Sequence, residues 1–340
     1  MSINKLNPVL APSYENFPKG RIISLIVLRT THSETIFRTE GSGEPMCSEF
    51  VPAGLEDKKT IVQRLVMTKR KQVAPERRRG REFLRSHELL YTSPKEGSLC
   101  SLNTNAPCEM CVDCFLYGFA AGGGGAQKSR VWTEDAFSIL TTAQTVGDRT
   151  INAIFENGTM RDENGKPSTA LNTSEYIKPG VHFLDVVTLK DITADELRYV
   201  IGNILLTSRY GAVSSRVGRM ENQILSVFGS ITELPSSLEL VQATYDALPK
   251  PLEHPFDTDA LSAAVKQVIA NWTNRRGVSM QLSEDELTSL IEDVDRHWSE
   301  AERDTFLKRL DKSYEPFRQP PAETKKGKNK GKKTPVEIES

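Results

Sequence analysis

The sequence predicts an α+β fold with insertions, on three observations. Short runs rich in Ile and Val recur at strand length, in residues 21–28, 131–140, 181–189 and 223–229. Capped amphipathic helices follow the later strands, beginning at the capping box Thr193-x-x-Glu196. Turn dipeptides, Asn157-Gly158, Asn164-Gly165 and Pro179-Gly180, crowd into residues 144–180 and predict an extended β-arm there.

Taken in order, residues 21–28 read as a buried central strand. Residues 31–34 form a turn and residues 35–38 a hairpin partner. Residues 40–57, with Gly41, Gly43, Pro45, Pro52 and Gly54, read as a long loop. Ile61, Leu65 and Thr68 stand at helical spacing, so residues 58–68 predict a helix. Residues 69–85 have almost no apolar stripe and are broken by Pro75 and Gly80. Residues 89–91 read as a short strand, ahead of a cysteine cluster and a glycine-rich loop at residues 122–125. The helix behind Thr193 carries Leu197, Val200, Ile201, Ile204 and Leu205 on one face. Residues 207–222 read as a loop, residues 223–229 as a strand and residues 238–248 as a helix. The succession strand, helix, insertion, strand, arm, strand, helix, strand predicts a ferredoxin-like or RNA-recognition-motif core over residues 20–250. Residues 40–130 form its basic, cysteine-bearing insertion and residues 144–180 its arm.

Residues 251–318 read as a helical extension. Leu261, Val265, Val268, Ile269 and Trp272 share one face, and Leu287, Leu290, Ile291 and Val294 another. Boxes at Ser283-x-x-Glu286 and Ser299-x-x-Glu302 start the last two helices. Residues 319–340 are rich in Lys, Gly and Pro and predict a disordered basic tail.

A chain of 340 residues can bury a sizeable core without staples. Its 44 basic and 45 acidic residues nearly cancel, but they are segregated. Residues 58–85 hold eleven Lys and Arg against two Glu, and residues 283–302 are mostly acidic. Segregation matters more than the sum when the partner is a polyanion. Residues 1–20 lack the apolar core of a signal peptide, and the longest apolar run is too short to span a bilayer. A cytoplasmic protein with no membrane partner is expected.

Cys108-x-x-Cys111-x-x-Cys114, preceded by Cys100, has the two-residue gaps that let thiolates converge on one zinc ion. Four sulfurs would close the site to water and make it structural. The tight spacing leaves open that His87 replaces one of them, and Cys47 reads as an ordinary thiol. The alternative is four free thiols in a reduced loop.

Lys69, Arg70 and Lys71, then Arg77, Arg78, Arg79 and Arg81, flank Pro75. Charge this dense repels itself unless a polyanion neutralises it, which gives salt-sensitive affinity. A solvated surface run is the alternative. The glycines at 122–125 expose backbone N–H groups ahead of Lys128 and Arg130, although no Gly-Lys-Ser/Thr completes a phosphate loop. Arg209, Tyr210, Gly211, Arg216 and Arg219 lie where Arg can grip phosphate and Tyr can stack on a base, or where Gly211 simply caps a helix. No zinc-hydrolase, nucleophile-elbow or dinucleotide motif is present, and the five histidines are scattered, so no catalytic residue is assigned.

The hairpin at residues 23–38, the basic run at residues 69–81, the cysteines from Cys100 to Cys114, Tyr117-Gly118 with Ser129-Arg130-Val131, and Ser208-Arg209-Tyr210-Gly211 occur in this order. Together they resemble the backbone subunit of the type I-D CRISPR interference complex, the Csc-two branch of the Cas-seven family. The resemblance implies a modified RNA-recognition-motif palm, a β-hairpin thumb at residues 144–180 and a zinc-bearing insertion. It implies copies lined along one CRISPR RNA, reading backbone while base pairing reads single-stranded target DNA or RNA, beside other subunits of an antiviral ribonucleoprotein complex of the Cascade kind. By that resemblance Arg29, Arg38, Lys69, Arg70, Lys71, Arg77, Arg78, Arg79, Arg130, Arg209, Tyr210 and Gly211 line the RNA path, and Phe155 or Met160 wedges against a flipped base. Residues 22–28 lack the stacking aromatics of an ordinary RNA-recognition motif, so phosphate and sugar contacts should dominate. Two other readings stand beside this one: a metal-dependent single-strand nuclease using Asp57, and a monomeric zinc-ribbon protein of RNA metabolism.

Overall fold

The computed structural model describes residues 2–37, 46–105, 107–121, 125–152, 154–156, 158–162, 164–167, 171–213 and 216–318. Its centre is β1 (Ile22–Thr31), buried along nearly its whole length. The continuous apolar run has a simple cause: both faces of the strand are covered. Ile23, Leu25 and Val27 enter one core cluster, Ile26 and Leu28 the other.

The chain continues through β2 (Ser48–Pro52), β3 (Ile61–Met67), α1 (Lys69–Ser86) and α2 (Val112–Tyr117). A small hairpin, β4 (Phe119–Ala121) with β5 (Gly125–Gln127), precedes β6 (Val131–Trp132) and β7 (Ala136–Thr141). One turn of helix, α3 (Thr142–Thr145), leads to the hairpin β8 (Val146–Asn152) and β9 (Leu171–Ile177). Then come β10 (His182–Lys190), α4 (Ala194–Leu206), β11 (Arg209–Val213) and β12 (Arg216–Ser230). The C-terminal part holds α5 (Ser237–Ala247), α6 (Thr258–Ala270), β13 (Val278–Gln281), α7 (Glu284–Trp298) and α8 (Arg303–Lys312).

Nine strands form one sheet in the order β11-β12-β1-β10-β7-β3-β2, with β13 added on β12 and β6 on β10. All its pairings are antiparallel, including β1 with β10 and with β12. On one face α1, α4, α7 and α8 bury Leu84, Leu197, Leu290 and Phe306. On the other, α5 and α6 bury Leu240, Val241, Leu261 and Val265. The N-terminal residues join the first cluster through Leu6, Leu10 and Tyr14. No helix is long and apolar enough to cross a membrane among the described residues.

Several expected elements differ. Residues 61–67 form a strand, not a helix, because β3 is held between β2 and β7. Its apolar residues fall on both faces, so helical spacing there is coincidental. The expected loop at residues 40–57 contains β2, and residues 38–45 lie outside the described residues. Thr35 bridges Ile177 and is no hairpin partner of β1. Residues 89–91 form no strand; the carbonyl of Tyr91 accepts from the N–H of Cys100 (2.9 Å). The expected loop at residues 207–222 is the hairpin β11/β12, and the C-terminal helices are interrupted by β13. Ser299 ends α7 instead of capping α8, whose N-cap is Glu302.

Residues 69–86 are one continuous helix despite Pro75 and Gly80. Gly80 is a packing device: a Cβ there would meet the Tyr199 hydroxyl at 2.4 Å and the Asn203 amide at 2.6 Å. Its absence lets α1 lie directly on α4.

Candidate nucleic-acid interface and thiolate cluster

Helix α1 begins with Lys69, Arg70 and Lys71, three cations at the positive end of the helix dipole. Local physics disfavours this start, and Thr68 gives no side-chain cap. A residue distant in sequence stabilises it: the Asp135 carboxylate accepts from the N–H of Lys69 (2.7 Å). Gln72 adds bonds to the carbonyls of Met67 (2.7 Å) and Glu134 (3.0 Å). Pro75 has no N–H to give to the carbonyl of Lys71.

Along this half of α1 runs a groove of about 450 Å³, lined by Arg70, Lys71, Val73, Ala74, Pro75, Arg77, Arg78, Leu102, Asn103 and Gly211. Lys69, Arg70 and Arg78 are exposed, and Lys71 is half-buried. Burial, with the charges of Arg70 and Arg78 beside it, pulls the Lys71 pKa below its usual value. The groove is therefore a place where cations crowd one another and an anion would relieve them. Gly211 faces it from β11 with φ +63; a Cβ there would lie 2.2 Å from the carbonyl oxygen of Ile36.

Not every cation of the run is free. Arg77 gives two bonds to Asp113, from Nε (3.0 Å) and Nη2 (2.7 Å). Arg81, one turn on, gives Asp113 a third (2.8 Å) and reaches the carbonyl of Cys100 (2.6 Å). Arg79 pairs with Glu82 (2.9 Å) and lies over the Phe83 ring.

Asp113 is wholly buried between two cysteines of the cluster. The sulfurs of Cys100, Cys108, Cys111 and Cys114 lie within 4.8 Å of one another, all buried. Individual separations are 3.8 Å (Cys100–Cys114), 3.9 Å (Cys108–Cys114) and 4.0 Å (Cys111–Cys100). Four thiolates about 2.3 Å from a central ion at tetrahedral angles stand about 3.8 Å apart, so this set fits a four-sulfur metal site. The N–H groups of Cys108 and Cys111 point at sulfurs (3.4 and 3.3 Å), as donors around metal thiolates do. Among the described residues these four are the one group of three or more His, Cys, Asp or Glu able to share an ion. His87 is not in it; its Nδ1 bonds the carbonyl of Phe83 (2.8 Å) at the end of α1.

Three residues expected on a nucleic-acid path lie in the interior. Arg29 is fully buried, with Asp185 at 2.8 Å and Glu76 at 2.7 Å. Burial opposes its charge, and the two carboxylates outweigh that and hold its pKa above the usual value. Tyr210 is equally buried and donates to Glu76 (3.1 Å). Arg130 pairs with Glu196 (2.9 Å) under Tyr14. These side chains bind the sheet to α1 and α4, and their sequence neighbours gave no sign of it. Arg209 and Arg219 are exposed on the β11/β12 hairpin. Arg38, the side chain of Arg216 and residues 122–124 of the glycine loop lie outside the described residues. Phe155 is exposed, Met160 partly so, and both lie between β8 and β9. Asp57 is exposed and accepts from the N–H of Thr60 (3.1 Å). The residues missed from sequence are Leu102, Asn103 and Asp113; a carboxylate placed between two metal-spaced cysteines was the available signal for the last.

Sheet, helices, groove and cluster define a mixed α/β protein with a cationic groove beside a four-cysteine site able to hold a metal ion. Residues 9–307 match the Csc2 CRISPR family, and the chain belongs to it. The structure is similar to that of Thermofilum pendens Csc2, with 18% identity, a TM-score of 0.56, and coverage of 92% of this chain and 95% of that one. At that identity the likeness is one of fold. A component of a CRISPR RNA-guided surveillance complex aligns at 11% identity and TM-score 0.42, over 76% of this chain and 87% of that one. No curated protein matches the chain.

Proposed function

We propose that this chain binds CRISPR RNA as a repeated, non-catalytic backbone subunit of a type I-D effector complex in antiviral defence. The observation that carries the proposal is the groove on α1. Its Arg70, Lys71 and Arg78 line one groove and, among the described residues, have no carboxylate within salt-bridge distance; Arg70 and Lys71 stand in the first turn of the helix, at its positive end. Lys69, Arg209 and Arg219 extend the cationic path along α1 and the β11/β12 hairpin, and the backbone of Gly211 lines the groove. Family membership supports the same reading. Such a surface holds a single strand by its phosphates and leaves the bases free to pair with target DNA or RNA.

The fold supports the rest of the proposal. The succession β1-α1-β7-β10-α4-β12, with β1 flanked by β10 and β12, agrees with a ferredoxin-like palm of the RNA-recognition-motif kind. Hairpin β8/β9 would be the thumb that separates neighbouring RNA segments, with Phe155 as its apolar wedge. The four cysteines would hold a structural zinc ion. Other copies along the guide, and other subunits of the complex, are the protein partners. A band-shift assay with unrelated single-stranded RNA tests the core of this reading. Tight binding that falls steeply with salt and ignores sequence is expected; no binding at low salt would remove it.

A further inference from the structure

The groove and the thiolate cluster share residues. Cys100 and Cys108 bound the loop that carries Leu102 and Asn103, and both of these line the groove. A second, smaller cleft of about 140 Å³ shares Arg77, Leu102 and Asn103 with it and is lined also by Asp113, Cys100 and Cys114. One wall of the groove is thus a loop whose two ends are cysteines of the cluster. Its floor is a helix bolted to the same cluster by Asp113.

We propose that metal bound in the cysteine cluster and a nucleic-acid strand bound in the α1 groove stabilise one another, and that Asp113 is the positioning residue that transmits the coupling. The inference rests on the reading of the groove as a strand-binding site. Asp113 stands between ligands Cys111 and Cys114 in α2, wholly buried. It takes three charge-assisted bonds from α1, two from Arg77 and one from Arg81. Arg81 also holds the carbonyl of Cys100, so the two arginines read the positions of three ligands at once.

Charge and order act in opposite directions here. Four thiolates on a divalent ion are net negative and by themselves weaken attraction for a polyanion. Arg77 and Arg81 pack against the cluster, and with one of their two charges taken by Asp113 they offset about half of that charge. What the metal supplies to the groove is then order: it fixes both ends of the Leu102–Asn103 wall and the rotation of α1. Because coupling between two binding equilibria is reciprocal, a strand that selects the ordered groove must also hold the metal more tightly.

The test is the rate at which the zinc-loaded full chain gives up its metal to a chromogenic chelator, with and without saturating poly(U), under reducing conditions. The bound strand should slow release by about fivefold or more, the lower end of ordinary coupling between sites. Asp113→Asn keeps the four thiolates and should lose most of that protection. Equal release rates in the presence of a strand shown by anisotropy to be bound would overturn the inference, and need no variant that might misfold. A folded Asp113→Asn protein that protects its metal as well as the parent would overturn the role of Asp113. If poly(U) does not bind at all, the groove is not a strand site, and both this inference and the reading beneath it fail.

Discussion

Replacing Arg70, Lys71 and Arg78 together with Gln should change how affinity for single-stranded RNA depends on salt. Among the described residues these three groove cations have no carboxylate within salt-bridge distance, whereas Arg77 is held by Asp113 at 3.0 and 2.7 Å. Each phosphate neutralised on a single strand adds about 0.7 to the slope of log affinity against log salt. Three contacts therefore account for about two units of slope, and between 50 and 200 mM salt the parent should lose about 20-fold more affinity than the variant. The substitutions are on the exposed or half-buried side of α1, so the fold should survive them. Fluorescence anisotropy across a salt series measures the slope directly. Arg77→Gln is the control: its guanidinium serves Asp113, so it should cost stability and shift the slope by less than one contact. Identical slopes for parent and triple variant, or an Arg77 effect equal to that of Arg78, would refute the assignment of the groove.

Other outcomes follow from the interior. Arg29→Met leaves Glu76 and Asp185 buried without their cation and should destabilise the fold by about 3–5 kcal/mol, measured by urea unfolding; a loss under about 1 kcal/mol would contradict the ion-pair account. His182 is buried against Thr258, and burial pulls its pKa from 6.5 to about 4. Its folded value lies below the unfolded one, so the stability it contributes is complete above pH 6.5 and is lost as pH falls from there toward 4. The loss should be about 3 kcal/mol at most, and it should vanish from the pH profile of His182→Phe. Gly211→Ala forces a Cβ to within 2.2 Å of the Ile36 carbonyl oxygen at a positive φ, so it should lower both melting temperature and strand affinity. Cys108→Ser should abolish the metal, measured as zinc per chain by elemental analysis, where the parent is expected to hold one equivalent.

The parts of this protein legible in its sequence are those set by local chemistry. The boxes at Thr193 and Ser283 start α4 and α7 because each closes its own first turn. The unbroken apolar run of β1 declares a strand covered on both faces. Cysteine spacing gave the four members of the cluster, and charge density gave the basic face of α1. What stayed hidden depends on partners far away in the chain. Residues 61–67 look helical until β2 and β7 flank them. Residues 69–86 look broken until Asp135 caps their first turn and α4 fills the space above Gly80.

The same division separates cations that can meet a strand from cations that cannot. Sequence alone determined that this chain carries a dense basic segment beside a metal-spaced set of thiols, because residue type and spacing are local properties. Only the tertiary structure decided that Arg29 and Arg130 are sealed inside ion pairs, that Arg77 serves Asp113, and that Arg70, Lys71 and Arg78 remain to face a groove. The reason is that availability is fixed by what folds against a side chain, and the carboxylates that hold Arg29, Arg77 and Arg130 lie 36 or more residues away in the chain.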